Sequence, residues 1–260
     1  GGTAITAETQ APGSASGGPA LEIAGLSVSY GANTALSGVE ARIPAGMVVG
    51  LIGPNGSGKS TLLKAIAGVH TPSAGSIRLG GKPIRESASH VAFVPQREEV
   101  NWDFPVTARD VVLMGRYRSV GWLRWPGRED RRRADEALAR LGLEGMGDRH
   151  ISQFSGGQQQ RVFLARAMVQ DPELVLLDEP FTGIDVKNRE VFHGAIQDFA
   201  RAGISVLIAT HDLAEVQATM DMVMCLNRRM VAFGPTAETF TPGNLRTTFG
   251  GQVAVFEAAS

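Results

Sequence analysis

The stretch that most restricts this chain is "MVVGLIGPNGSGKSTLLKAIAGV", which begins at Met47. Its opening "MVVGLIG" is continuously apolar and predicts a strand buried on both faces. A glycine-rich turn follows, and then "KSTLLKAIAGV" places apolar residues at helical spacing. The turn, Gly53–Thr61, matches G-x-x-x-x-G-K-[ST], and a strand before it and a helix after it is the context in which that pattern binds phosphate. Gly53, Pro54, Asn55, Gly56, Ser57 and Gly58 form the cradle. Its glycines let backbone N–H groups converge on phosphate oxygens, and the helix N-terminus adds partial positive charge. Lys59 is placed to reach the β- and γ-phosphates, and Ser60, followed by Thr61, offers a hydroxyl to Mg²⁺.

The flanking sequence extends this unit in both directions. "LEIAGLSVSYG" and "ALSGVEARIPAG" alternate apolar and polar residues, as half-buried antiparallel strands do, and "GSIRLGGKPI" reads as a hairpin. Further strands are predicted at "HVAFVPQ", "ELVLLDEP" (173–180), "ISVLIATHD" (204–212) and "DMVMCL" (221–226). Helical stretches such as "VKNREVFHGAIQDFARAG" separate them, which indicates a mainly parallel α/β sheet flanked by helices. Between about 100 and 170 strand character disappears. "VTARDVVLMGRY", "REDRRRADEALARLG" and "GGQQQRVFLARAMVQ" all read as helices, so an inserted α-helical subdomain is expected there. Residues 1–20, rich in Gly, Ala, Ser and Pro, carry too little bulk to offset chain entropy and are expected to be disordered. One domain over 21–260 is the remaining expectation, its last 25 or so residues packed on its own core.

Composition excludes several classes. A formal net charge of −1 gives no global attraction to nucleic acid or anionic membrane. The run "REDRRR" (128–133) alternates sign at helical spacing, with Glu129 near Arg132 and Arg133, and so reads as an exposed helix face. One cysteine, Cys225, allows no internal disulfide, and the five histidines lack zinc-ligand spacing. Every apolar run is far shorter than the ~18 residues a membrane-crossing helix needs.

"LVLLDEP" supplies the second half of a nucleotide site. Its apolar residues deliver Asp178 and Glu179 to the carboxyl end of a strand, where α/β ligands bind. Asp178 suits the Mg²⁺ shell, and Glu179 suits a carboxylate that orients or deprotonates water. Kinases, helicases and GTPases share this much.

The segment "FSGGQQQR" (154–161) narrows the field. With Ser155, Gly156, Gly157 and Gln158 upstream of Asp178, the chain resembles the ATP-binding cassette (ABC) family, whose signature is usually Leu-Ser-Gly-Gly-Gln; Phe154 stands in the leucine position. The resemblance covers residues 21 to about 250. It implies a P-loop ABC ATPase core with an N-terminal antiparallel β subdomain and an inserted helical subdomain. It also implies an adenine-stacking role for Tyr30, a Q-loop role for Gln96 near Mg²⁺ and the attacking water, a D-loop role for Asp185 and a switch role for His211. Gly183-Ile184 before Asp185 departs from the commoner Ser/Ala-Leu. In this family the signature loop serves the nucleotide of a second copy, so two ATPs are held in a head-to-tail dimer.

The continuation "PQREEVNWDFPVTARDVVLMGRY" (95–117) resembles the ATPase subunits of bacterial manganese, zinc and iron importers. Trp102, Phe104 and Pro105, rimmed by Arg97, Glu98, Glu99 and Asp103, suit a dock for a permease helix between Gln96 and Thr107; packing within the helical subdomain is the alternative. The resemblance implies a peripheral subunit on the cytoplasmic face of a bacterial membrane. Its partners would be transmembrane permeases and, indirectly, an extracytoplasmic metal-binding protein. Alternatives are an iron-chelate importer or exporter subunit, a soluble ABC ATPase, or a nucleotide-binding regulator without turnover.

Overall fold

Two β-sheets frame the molecule, and the phosphate loop lies where they meet. The computed structural model describes residues 20–97, 105–117 and 126–250. The segment expected to be disordered therefore lies outside the described residues except for Ala20, as do Glu98, Glu99, Trp102, Asp103 and Phe104 of the expected dock.

The first sheet is antiparallel. β1 (Leu21–Tyr30) pairs with β2 (Asn33–Ile43) on one side and with β4 (Ala74–Leu79) on the other, and β5 (Lys82–Pro83) completes the order β2-β1-β4-β5. Its alternating sequence is explained by one-sided burial: Leu21, Ile23, Leu26 and Val28 are buried on β1, and Leu36, Val39, Ala41 and Ile43 on β2.

The second sheet carries β3 (Val48–Ile52), β6 (Val91–Val94), β7 (Leu174–Asp178), β8 (Ser205–Ala209), β9 (Met222–Leu226) and β10 (Met230–Pro235) in the order β10-β9-β3-β8-β7-β6. Every pairing is parallel except β9 with the edge strand β10. Its inner strands are apolar throughout because both faces are covered. Val175 and Leu177 enter the core beneath the helices of residues 108–201, while Leu174 and Leu176 enter the core shared with the antiparallel sheet. The chain thus has the expected two-sheet α/β fold.

Helices α1 (Lys59–Ile66), α2 (Ala108–Leu113), α3 (Arg128–Arg140), α4 (Gly156–Met168), α5 (Val186–Arg201), α6 (Leu213–Thr219) and α7 (Pro242–Phe249) complete the framework. The three helices α2, α3 and α4 pack on one another. α2 is started by a capping box, in which Asp110 N–H donates to Thr107 Oγ1 at 3.2 Å and Thr107 N–H to Asp110 Oδ2 at 3.0 Å. The charged run of α3 lies at the surface, where Arg132 pairs with Glu129 and Glu136, and Arg133 with Glu129 and Asp171.

Beyond β9 the sequence reading recognised no strand, yet β10 returns antiparallel and α7 runs back along both strands. Asn227 Nδ2 donates to the carbonyl of Thr248 at 3.0 Å, which fixes the end of α7 beside the β9–β10 turn. The four leading residues of β10 are all half-buried, so they show no alternation that would mark an edge strand.

Candidate active site

The phosphate loop is held from behind by its neighbours in space. Gly58 has φ +100°, a conformation open to glycine, and a Cβ there would come within 2.4 Å of Leu36 Cδ2. At Gly53 the limit is contact, since a Cβ would fall 2.0 Å from the carbonyl oxygen of Leu226. The β9–β10 turn also grips the loop: Arg228 N–H donates to Ser57 O at 2.8 Å, while Ser37 N–H donates to Arg228 O at 2.9 Å. Arg228 is one of three non-glycine residues with positive φ among the described residues, at 59°. Ser57 itself is buried beneath the loop.

Lys59 begins α1 and its Nζ donates to Gly53 O at 2.7 Å and Pro54 O at 3.2 Å. Burial pushes its pKa down, and the carboxylates of Glu179 and Asp178 only partly offset that. A half-desolvated ammonium held by carbonyls is prepared to exchange them for an anion.

Asp178 and Glu179 arrive from the carboxyl end of β7. Asp178 is 1% exposed. Glu179 has φ +48°, and its N–H donates to Ala209 O at 2.9 Å, which ties it to the end of β8. There His211 Nδ1 lies 2.7 Å from Glu179 Oε2. Burial raises the Glu179 pKa above the usual carboxylate range, with His211 and Lys59 acting in the opposite sense. The His211 backbone is steadied on both sides, because Thr210 N–H donates to Leu51 O at 3.1 Å and Asp212 N–H to Thr210 Oγ1 at 3.0 Å.

One cleft of about 660 Å³ gathers Gly53, Pro54, Asn55, Gly56, Gly58, Lys59, Ser60, Thr61, Gln96, Asp178, Glu179 and His211. Parallel topology is the cause: β3, β7 and β8 end on the same side, so segments distant in sequence converge there. The hydroxyl of Ser60, the Gln96 amide and the Asp178 carboxylate offer oxygen donors beside the lysine, a set suited to a hard cation that arrives with a phosphate ligand.

Other expected site residues lie elsewhere. Tyr30 is exposed at the end of β1, its ring edge-on to His70 at 5.3 Å, and it does not line this cleft. Asp185 caps α5, accepting from Asn188 N–H at 3.0 Å. Ser155 caps α4 in a reciprocal box with Gln158, with Gln158 N–H to Ser155 Oγ at 3.3 Å and Ser155 N–H to Gln158 Oε1 at 2.8 Å. The first helical positions, Gly156 and Gly157, leave backbone N–H groups without intrahelical acceptors at the positive end of the helix dipole.

Residues that sequence reasoning missed also shape the site. Ala35, Thr182 and Phe249 line the cleft. Phe249 reaches it only through the folding-back of α7, and no local pattern announces that. Arg189 of α5 links two loops: Nη1 donates to Asp212 Oδ2 and Glu215 Oε1, each at 2.9 Å, and Nε to Ile184 O at 3.4 Å. The loop of Asp185 is thereby fastened to the loop of His211.

The comparisons with known proteins agree with this geometry. Residues 36–182 match the family model described as ABC transporter. The manganese transport system ATP-binding protein MntB of Halalkalibacterium halodurans is 40% identical over 238 residues, which cover 92% of this chain and 95% of that one. For the zinc transport system ATP-binding protein TroB of Treponema pallidum the identity is 43%, covering 90% and 88%. The chelated iron transport system membrane protein YfeB of Yersinia pestis is also 43% identical, covering 90% and 80%. Among solved structures, CbiO1 of Clostridium perfringens, part of the ABC transporter complex CbiONQ, superposes with a TM-score of 0.74 at 29% identity, covering 88% and 94%. A nucleotide-free ATP-binding cassette from an ABC transporter, 23% identical, shares the fold with a TM-score of 0.75, covering 92% and 98%. With a phosphate loop, a buried acidic pair and a histidine-held glutamate in one cleft, this chain belongs to the ABC transporter family as an ATP-binding subunit, an ATPase that energises transport.

Proposed function

We propose that this subunit drives import of a divalent transition metal, manganese, zinc or iron, by closing as a head-to-tail dimer around two ATP molecules. The observation that carries the metal assignment is the set of relatives at 40–43% identity over nine-tenths of the chain, whose names specify manganese, zinc and chelated iron transport. The metal is cargo of the assembly and is handled by its other subunits.

In this reading Lys59 and the loop amides hold the β- and γ-phosphates, and Tyr30 receives the adenine from outside the cleft. Ser60, Gln96 and Asp178 would hold Mg²⁺, which would supply positive charge beside the phosphates. Glu179 orients the attacking water and accepts its proton, and His211 fixes the carboxylate that does so. The capped Ser155 and the free amides of Gly156 and Gly157 complete the site of the other copy, with Gln158 and Asp185 beside them.

The permease docks on the face bounded by Gln96–Thr107, which places the chain peripherally on the inner side of the membrane. Val69 is 61%, Tyr117 45% and Met114 39% exposed, and Val69 and Met114 share a groove with Phe93 and Arg166. Among the described residues no helix is long and apolar enough to cross a membrane.

Co-expression with a candidate permease and metal-binding protein tests the reading. Cells are expected to accumulate manganese, zinc or iron, and to lose that with Glu179→Gln in this subunit. Uptake confined to an iron chelate, as YfeB's name suggests, would correct the cargo; export would overturn the proposal.

A further inference from the structure

Gln96 and Arg97 are consecutive, yet they serve two different places. Gln96 lines the nucleotide cleft, and Arg97 does not. Arg97 Nε instead donates to Gln159 Oε1 at 3.1 Å, and Gln159, 3% exposed, passes the connection inward through Nε2 to the carbonyl of Ile151 at 3.2 Å. The same guanidinium lies against the first residue of α4. A Cβ on Gly156 would stand 2.9 Å from Arg97 Nε and 3.0 Å from Cζ. The Arg97 guanidinium thus packs on Gly156 and bonds Gln159, so the head of α4 is fastened to the end of the loop that carries Gln96.

We propose that Arg97 is a positioning residue that couples the chain's own nucleotide cleft to the Ser155 loop it presents to a second copy. This rests on the two-copy reading above. Gln96 and Arg97 share one peptide unit, so a backbone shift of Gln96 on nucleotide arrival displaces the Arg97 backbone too, and the hydrogen bond from Arg97 to Gln159 carries that displacement onward. Arg97 delivers it to Gly156, the neighbour of Ser155, and to Gln159, one turn along α4. The two sites of a dimer are then linked through each subunit as well as across the interface. Such a link is read as a coupling between sites, not as affinity at either one.

The test uses the full chain with Arg97→Met, which keeps the length and removes the donor, and Gln159→Leu. Binding of a fluorescent ATP analogue to Arg97→Met is expected within about twofold of wild type, because Arg97 lies outside the cleft. Steady-state hydrolysis is expected to fall about tenfold and to depend less steeply on ATP concentration, in line with a typical coupling. The double variant is expected to be no worse than Arg97→Met alone, and Arg97→Lys, which retains a donor, to recover part of the steepness. A wild-type rate and steepness in Arg97→Met, or additive losses in the double variant, overturn the coupling. So does a melting midpoint lowered by more than about 4 °C together with lost nucleotide binding, which marks a purely structural contact. If the wild-type chain itself binds ATP but neither dimerises nor hydrolyses it, the proposed function fails instead.

Discussion

Glu179 shows how much of the chemistry is set by a few contacts. Its pKa is raised chiefly by burial, while His211 at 2.7 Å opposes that rise. The sign follows directly. The neutral acid is favoured in the folded state, so its stabilising contribution is present at low pH and fades as pH rises through the raised value. The proposed role of Glu179 needs the carboxylate, so activity is expected to disappear as pH falls through that same value. Removing His211 takes away the opposing charge and hydrogen bond. His211→Ala is therefore expected to lower turnover and to move the acid limb of the pH–rate profile upward; a limb that stays in place or moves down contradicts the pairing. At Lys59 the ammonium is already partly desolvated. Lys59→Ala is expected to weaken ATP binding at least tenfold in a titration, the loss of one charge-assisted phosphate contact, and unchanged affinity would remove the lysine from the site.

The elements explain why these residues could be found from sequence and others could not. β3, β7 and β8 are buried on both faces, so they appear as unbroken apolar runs, and each ends at the residues that line the cleft. Gly53–Thr61 and Asp178-Glu179 were legible for that reason, whereas His211 was assigned only by resemblance. Ser155 was legible only by resemblance, since its local geometry is that of an ordinary helix cap. β10 and Phe249 were not legible, because a half-buried edge strand lacks alternation and α7 meets the cleft only after the chain has folded back. Arg189 was hidden too: its partners Asp212 and Glu215 lie on the next α/β unit. Arg189→Met is expected to slow turnover several-fold with little change in ATP affinity, because it loosens the His211 loop and leaves the phosphate loop intact; comparing kcat with KM checks this. The framework itself rests on packing. Phe192 of α5 is fully buried against Phe181, and Phe192→Ala is expected to cost about 3–5 kcal/mol in denaturant unfolding.

At the scale of the whole molecule, the proposed function gives a single chain two unlike surfaces for nucleotide. One is the enclosed cleft around Lys59, and the other is the head of α4, which does not line it. The two do not meet within one copy, and the proposed head-to-tail dimer would bring each against its counterpart. The most direct measurement is the mass of Glu179→Gln by sedimentation, with and without saturating Mg-ATP. Blocked hydrolysis is expected to leave ATP in place, so the variant should shift from one chain to two on adding nucleotide, and adding Ser155→Arg should abolish the shift while ATP still binds. A particle that stays at one chain with ATP bound, or a dimer indifferent to Ser155→Arg, would contradict the account.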